Sequence, residues 1–236
     1  MRTTLAARKK ATPMIVLVLV AVVAALMTVT TSHASADAAE GTSHGHDHGT
    51  VAATHTASAQ TFHDQMRKLW EDHVTWTRLA IVTFADGSKS FDATAARLLQ
   101  NQVDIGDAIK PFYGDAAGTE LTSLLHDHIT IAVEILQAAK AGDTAAFNDA
   151  NTRWYENANA IADFLANANP RFWPQQVMRD DMKVHLDQTL AEASDELGGD
   201  YTASVNDYDA IHLHILDMAD MLSNGIIGEF PARFKH

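Results

Sequence analysis

From Met66 onward, apolar residues recur in steps of three and four. Leu69, Trp70, His73, Val74, Thr77, Ile81 and Phe84 share one helical face, the stripe a half-buried helix turns toward a core. The pattern breaks at Ala85-Asp86-Gly87-Ser88, Tyr113-Gly114-Asp115, Ala141-Gly142-Asp143, Asn169-Pro170 through Pro174, and Gly198-Gly199-Asp200, with Pro231 after the last apolar run. Glycine past a helix end and Asp or Ser at the next start are the chemistry of stopping one helix and capping another. The prediction is an all-α fold of six helices, each of roughly 20–28 residues, joined by the short loops of bundles.

The six helices read as three copies of one hairpin. Trp70-Glu71-Asp72-His73-Val74-Thr75 aligns with Leu125-His126-Asp127-His128-Ile129-Thr130, and more loosely with Met182-Lys183-Val184-His185-Leu186-Asp187. The second helices align without gaps. Asn101-Gln102-Val103-Asp104-Ile105-Gly106-Asp107 matches Asn157 through Asp163 and His214 through Asp220. His73, His128 and His185 are spaced by 55 and 57 residues, and Asn101, Asn157 and His214 by 56 and 57. The offset from first-helix histidine to second-helix partner is 28, 29 and 29. A repeat of about 56 residues follows, closing as one six-helix bundle or stacking as a short solenoid.

His73, His128, His185 and His214 fall within the apolar stripes. A buried imidazole needs a hydrogen-bond partner, since an unsatisfied polar group costs roughly 1–3 kcal/mol. The register offers Asn101 for His73, Asn157 for His128 and His214 for His185. These pairs either pin the hairpin register or converge, with His214 as a fourth ligand, on a metal ion. Neutral imidazole suits Zn, Cu, Fe or Ni, and bundle cores host such sites. Asp217, three residues after His214, adds an oxygen ligand near the same helix face.

Other polar and sulfur residues read as structural. His126 and His212 sit two residues from the stripe histidines and point toward solvent. Met178, Met182, Met218 and Met221 occupy core positions, as do Trp70, Trp76, Trp154 and Trp173. Asp107, Asp163 and Asp220 recur off the stripe, where surface ion pairs explain them.

The first 60 residues change the picture. Arg2, Arg8, Lys9 and Lys10 precede an apolar run from Met14 to Val29 and an Ala34-Ser35-Ala36 site, the three parts of a secretory signal peptide. The run of 16 residues is short for a bilayer that takes about 20 residues to cross. Cleavage is expected after Ala36, giving a secreted or cell-surface protein that does not span the membrane. With no cysteine there is neither a lipid attachment point nor a disulfide, so packing holds the fold. The signal peptide takes four of the 17 basic residues and none of the 30 acidic ones, leaving a mature chain of 200 residues with net charge −17. Such a surface repels nucleic acid and attracts cations.

Residues 37–62 are rich in Ala, Thr, Ser, Gly and His, a composition too apolar-poor to repay ordering. They are expected to form a flexible tail before a helical domain at 63–236. Within the tail, His44, His46 and His48 lie in five residues and suit loose capture of divalent ions.

No nucleotide-binding glycine loop, serine-hydrolase elbow, zinc-protease motif or di-iron Glu-x-x-His pair is present. The stretches from Leu69 to Arg78, Asp107 to Gly114, and Met218 to Ile227 resemble an exported bacterial helical-bundle family over roughly residues 65–235. Some of its members carry a glycosyltransferase label. The resemblance implies the helical fold and carries over no catalytic residue. Asp207-Tyr208-Asp209 matches the short D-x-D pattern of many sugar transferases, but those enzymes bind nucleotides on α/β domains, and no strand-like alternation occurs here. The sequence therefore points first to a non-catalytic, extracytoplasmic metal-binding or metal-handling bundle. A structural or interaction module with purely structural histidines comes second, and a transferase third.

Overall fold

The computed structural model describes residues 56–235. The expected signal peptide and the His44–His48 tract lie outside the described residues. Six α-helices follow in order: α1 (Ala57–Ala85), α2 (Phe91–Tyr113), α3 (Asp115–Ala141), α4 (Thr144–Ala168), α5 (Gln175–Gly198) and α6 (Tyr201–Glu229), then a short 3-10 helix at Pro231–Phe234. No strand occurs among the described residues, and none of their helices is long and apolar enough to cross a membrane.

The helix ends follow the punctuation of the sequence. Gly142 and Gly199 adopt left-handed conformations at φ 70° and 82°, which glycine reaches without a Cβ penalty. The next residue's N–H turns back in both cases, from Asp143 to Ala138 O and from Asp200 to Asp195 O, satisfying carbonyls at the helix end. The same two aspartates then cap the following helix, accepting from Ala146 N and Ala203 N. Two loops, 57 residues apart, thus use one Gly-Asp device.

Each helix packs on its neighbours in sequence, and α1 also packs on α6. That contact closes the ring, so the three hairpins form a bundle rather than a solenoid. Across the middle, α1 meets both α3 and α5, so the first helices of the hairpins face one another. The core between them includes Ile161, Ala162, Leu186, Ile215 and Ala219, none exposed. Trp154, Trp173, Met178, Met182 and Met218 are buried in the same core, while Trp76 and Met221 are half-buried.

Helix α1 begins six residues before the expected domain edge at 63. Thr56 caps it by accepting from Ala59 N, and its hydroxyl also donates to Phe234 O. Phe62 lies against Phe112 and Phe234. The 3-10 helix therefore folds back over the start of α1 and supplies burial that local composition does not reveal.

At the α2–α3 crossing, a Cβ on Gly106 would lie 2.6 Å from Gly118 O, and one on Gly118 the same distance from Gly106 O. Backbone on both sides leaves little room to yield. Gly118→Ala is expected to lower unfolding stability by about 1–3 kcal/mol, as overpacking does. Urea unfolding measures it, and a change within about 0.5 kcal/mol would refute this packing.

Candidate functional site: a buried imidazole layer

The three repeated histidines meet at the centre of the bundle. His73 from α1, His128 from α3 and His185 from α5 are 3%, 3% and 4% exposed. The His73 and His185 ring centroids lie 5.6 Å apart, and those of His128 and His185 lie 6.3 Å apart with near-parallel rings. Trp154 stacks on His128, and Trp70 meets His73 edge-on.

The second helices supply a repeated backbone contact. Asn101 Nδ2 donates to Leu69 O at 2.9 Å, Asn157 Nδ2 to Leu124 O at 3.0 Å, and the His214 Nε2–H to Asp181 O at 3.0 Å. Each acceptor lies four residues before its hairpin's histidine, so the contact recurs in register three times. His214 thus stands where the other hairpins have an asparagine amide.

Ring contacts differ among the copies. Asn157 Oδ1 lies 3.0 Å from His128 Nδ1. Because Asn157 Nδ2 is committed to Leu124 O, its oxygen faces the ring and His128 Nδ1 carries the proton. The lone pair then resides on Nε2. His73 pairs with Gln102 instead of the expected Asn101: Gln102 Nε2 lies 3.3 Å from His73 Nδ1 and donates to Leu98 O at 2.8 Å. The expected His185–His214 bond is also absent, since His214 Nε2 is held by Asp181 O. His185 Nδ1 is buried with no hydrogen-bond partner.

Burial holds all three rings neutral near pH 7. It lowers the pKa of His73 to about 3, with neighbouring His128 adding to the effect and Gln102 opposing it. His128 falls to about 4 by burial, against the bond from Asn157. His185 is pushed well below its ordinary value, by burial first and then by His73, His128 and His214. Among the described residues, the titratable side chains that act on the three rings are other histidines.

The backbone carbonyls of the three histidines are also occupied. Thr77 Oγ1 donates to His73 O, Trp154 Nε1 to His128 O and Thr189 Oγ1 to His185 O. Hydrogen bonds therefore tie the layer to the turn above it as well as to the second helices.

The remaining candidates lie outside the layer. Asp217 is exposed on α6, and His214 is half-buried and held by Asp181 O. His126 is exposed, while His212 contacts Glu71 at 3.0 Å and stacks on Tyr208. Asp107, Asp163 and Asp220 form surface ion pairs with Lys110, Arg179 and Arg67. Asp207 and Asp209 are two residues apart on α6, so they face different sides of the helix and share no chelating position. Among the described residues, no group of three or more His, Asp or Glu is arranged to hold a metal ion as the side chains stand.

A second polar centre had no place among the sequence candidates. Arg78 donates to Glu192 at 2.8 Å, to Glu196 at 3.4 Å and to Ser204, while Ser204 Oγ donates to Glu196 at 2.6 Å. Glu192 is 1% exposed and Glu196 5%. Burial pushes the Glu192 carboxyl up to about 7 despite Arg78. Nearby, burial and the Asp207 carboxyl raise Asp195. The available signal was Glu192 itself. It lies seven residues past His185, where the other hairpins carry Ala80 and Ile135.

No family model matches this chain, and the searches of curated proteins and of solved structures likewise return no match.

Proposed function

We propose that the protein is a non-catalytic, extracytoplasmic metal-binding or metal-handling bundle. Its ordered site is the layer of His73, His128 and His185, and the His44-His46-His48 tract gathers ions outside it. The observation that carries this reading is the unpartnered buried Nδ1 of His185, beside two other neutral imidazoles. A buried polar atom without a partner calls for a water or an ion. Neutral imidazoles have no proton to lose before ligating Zn, Cu, Fe or Ni. Asn157 holds His128 with a bare Nε2, the role that outer hydrogen bonds play around metal-bound histidines.

Two imidazoles on one ion with bonds of about 2.0–2.1 Å place their ring centroids roughly 5–5.5 Å apart. The 5.6 Å pair is close to this and the 6.3 Å pair is wider, so binding requires the rings to draw in. The present ring arrangement also supports a second reading, in which the layer is structural and shares an internal water. Export rests on the first 36 residues of the sequence.

Thermal unfolding of metal-free protein separates the two readings. An ion that binds only the folded state stabilises it by about 2.7 kcal/mol at 100 times its Kd. One of Zn, Cu, Fe or Ni should raise Tm in the native protein but not in a folded His128→Ala variant. Equal shifts in both proteins would assign the ion to the tail or surface, and no shift with any of the four would favour the structural layer.

A further inference from the structure

One helical turn past the imidazoles, the bundle walls a partly open apolar pocket of about 50 Å³. Thr77, Ala132 and Thr189 line it, each four residues after one of the three histidines, together with Ala80, Ala193 and Trp154. The three hairpins show why space remains there. Seven residues past the histidine, α3 has Ile135 where α1 has Ala80. Eight residues past it, α1 and α3 have Ile81 and Leu136 where α5 has Ala193. Substituting alanine for the larger aliphatic of a sister hairpin leaves the bundle short of side-chain volume on two walls.

The polar groups at this cavity are already committed. The hydroxyls of Thr77 and Thr189 and the indole N–H of Trp154 all donate to the histidine carbonyls. A buried water needs 2–4 polar partners, and apolar cavities without them stay dry. The volume exceeds the roughly 30 Å³ that a water occupies in the liquid, and is about a third of the 150 Å³ or so that admits benzene. Its inner space suits one atom or one diatomic molecule.

We propose that this cavity binds a single small apolar gas molecule, of the class that includes dioxygen, with xenon as its laboratory probe. The site stands on cavity size and lining alone and is independent of any metal at the imidazole layer.

Methyl NMR of the purified protein under xenon pressure tests it. Saturable shifts are expected at Ile129, Leu136 and Leu190, which line the cavity, with none at Ile226, which does not. Ala193→Val fills the space from α5 and should abolish the shifts while the protein stays helical. If that variant does not fold, Ala80→Val fills it from α1 with the same expectation. Absence of saturable shifts in the native protein, or their persistence in a folded filling variant, would overturn the proposal.

Discussion

Replacing Arg78 with methionine is expected to destabilise the protein by about 3–5 kcal/mol at pH 8, the cost of breaking a buried ion pair from one side. Arg78 serves Glu192 and Glu196, both almost fully buried. Methionine preserves much of the side-chain stem but leaves two carboxyls without their cation. The effect should depend on pH with a definite sign. The folded-state pKa of Glu192 is raised from 4.5 to about 7, so the folded state binds its proton more tightly than the unfolded chain does. Its contribution is therefore fully favourable below pH 4.5 and is lost as pH rises through 7. Without Arg78 the carboxyl moves further upward, so the variant's deficit should shrink between pH 8 and pH 6. Adding Glu192→Gln to Arg78→Met should restore part of the stability, because an amide can be buried uncharged. Urea unfolding at the two pH values measures these effects. A deficit below about 1 kcal/mol at pH 8 would mean that solvent, rather than Arg78, satisfies the carboxyls.

Acid is expected to unfold the metal-free bundle cooperatively between about pH 6 and pH 4. Here the sign is opposite. The imidazoles of His73 and His128 fall from 6.5 to about 3 and about 4 on folding, and His185 falls well below 6.5. The unfolded chain then binds more protons than the folded one from 6.5 downward, so stability drops as pH falls through that window. Each pKa unit is worth about 1.4 kcal/mol. Protonating even one of these buried rings therefore removes a sizeable part of a domain's stability of about 5–15 kcal/mol. Glu192, Asp181 and Asp195, whose carboxyls are raised, oppose the trend and reduce its slope. Circular dichroism against pH should show loss of helix, and a folded His73→Gln variant should show a shallower transition. A native protein that remains helical to pH 3.5 would contradict the placement of three neutral imidazoles in the core.

Much of this layer was visible as spacing. The 55- and 57-residue intervals placed His73, His128 and His185 on equivalent helices, and closure of the ring brought those helices face to face. The offsets within the hairpins also carried a finer message. Asn157 lies 29 residues after His128 and performs two tasks, bonding the ring and the Leu124 carbonyl. In the first hairpin, Asn101 lies at 28 and Gln102 at 29, and the tasks divide. Asn101 takes the carbonyl, and Gln102 takes the ring. Residue type matches Asn157 with Asn101, whereas the offset of 29 matches it with Gln102. The third copy keeps the carbonyl contact through His214 and leaves His185 Nδ1 without a partner.

Long-range packing accounts for what local pattern did not reveal. Arg78 meets Glu192, Glu196 and Ser204 only because α1, α5 and α6 converge, and the separations of 114 to 126 residues put these partners two hairpins away, beyond the reach of any local pattern. The early start of α1 likewise depends on Phe234 and Phe112, far along the chain from Phe62. Helix periodicity identifies a buried face but does not name the charged groups that will share it.

The central claim is a metal ion at the imidazole layer, and elemental analysis tests it most directly. The protein would carry His44→Ser, His46→Ser and His48→Ser, so that the tail cannot contribute to the count. Close to one ion of Zn, Cu, Fe or Ni per chain is predicted, and it should be lost when His128→Ala and His185→Ala are added in a protein that remains helical. A helical protein that holds none of these metals, and takes up none when they are supplied, would contradict the claim and leave the three histidines as a structural layer.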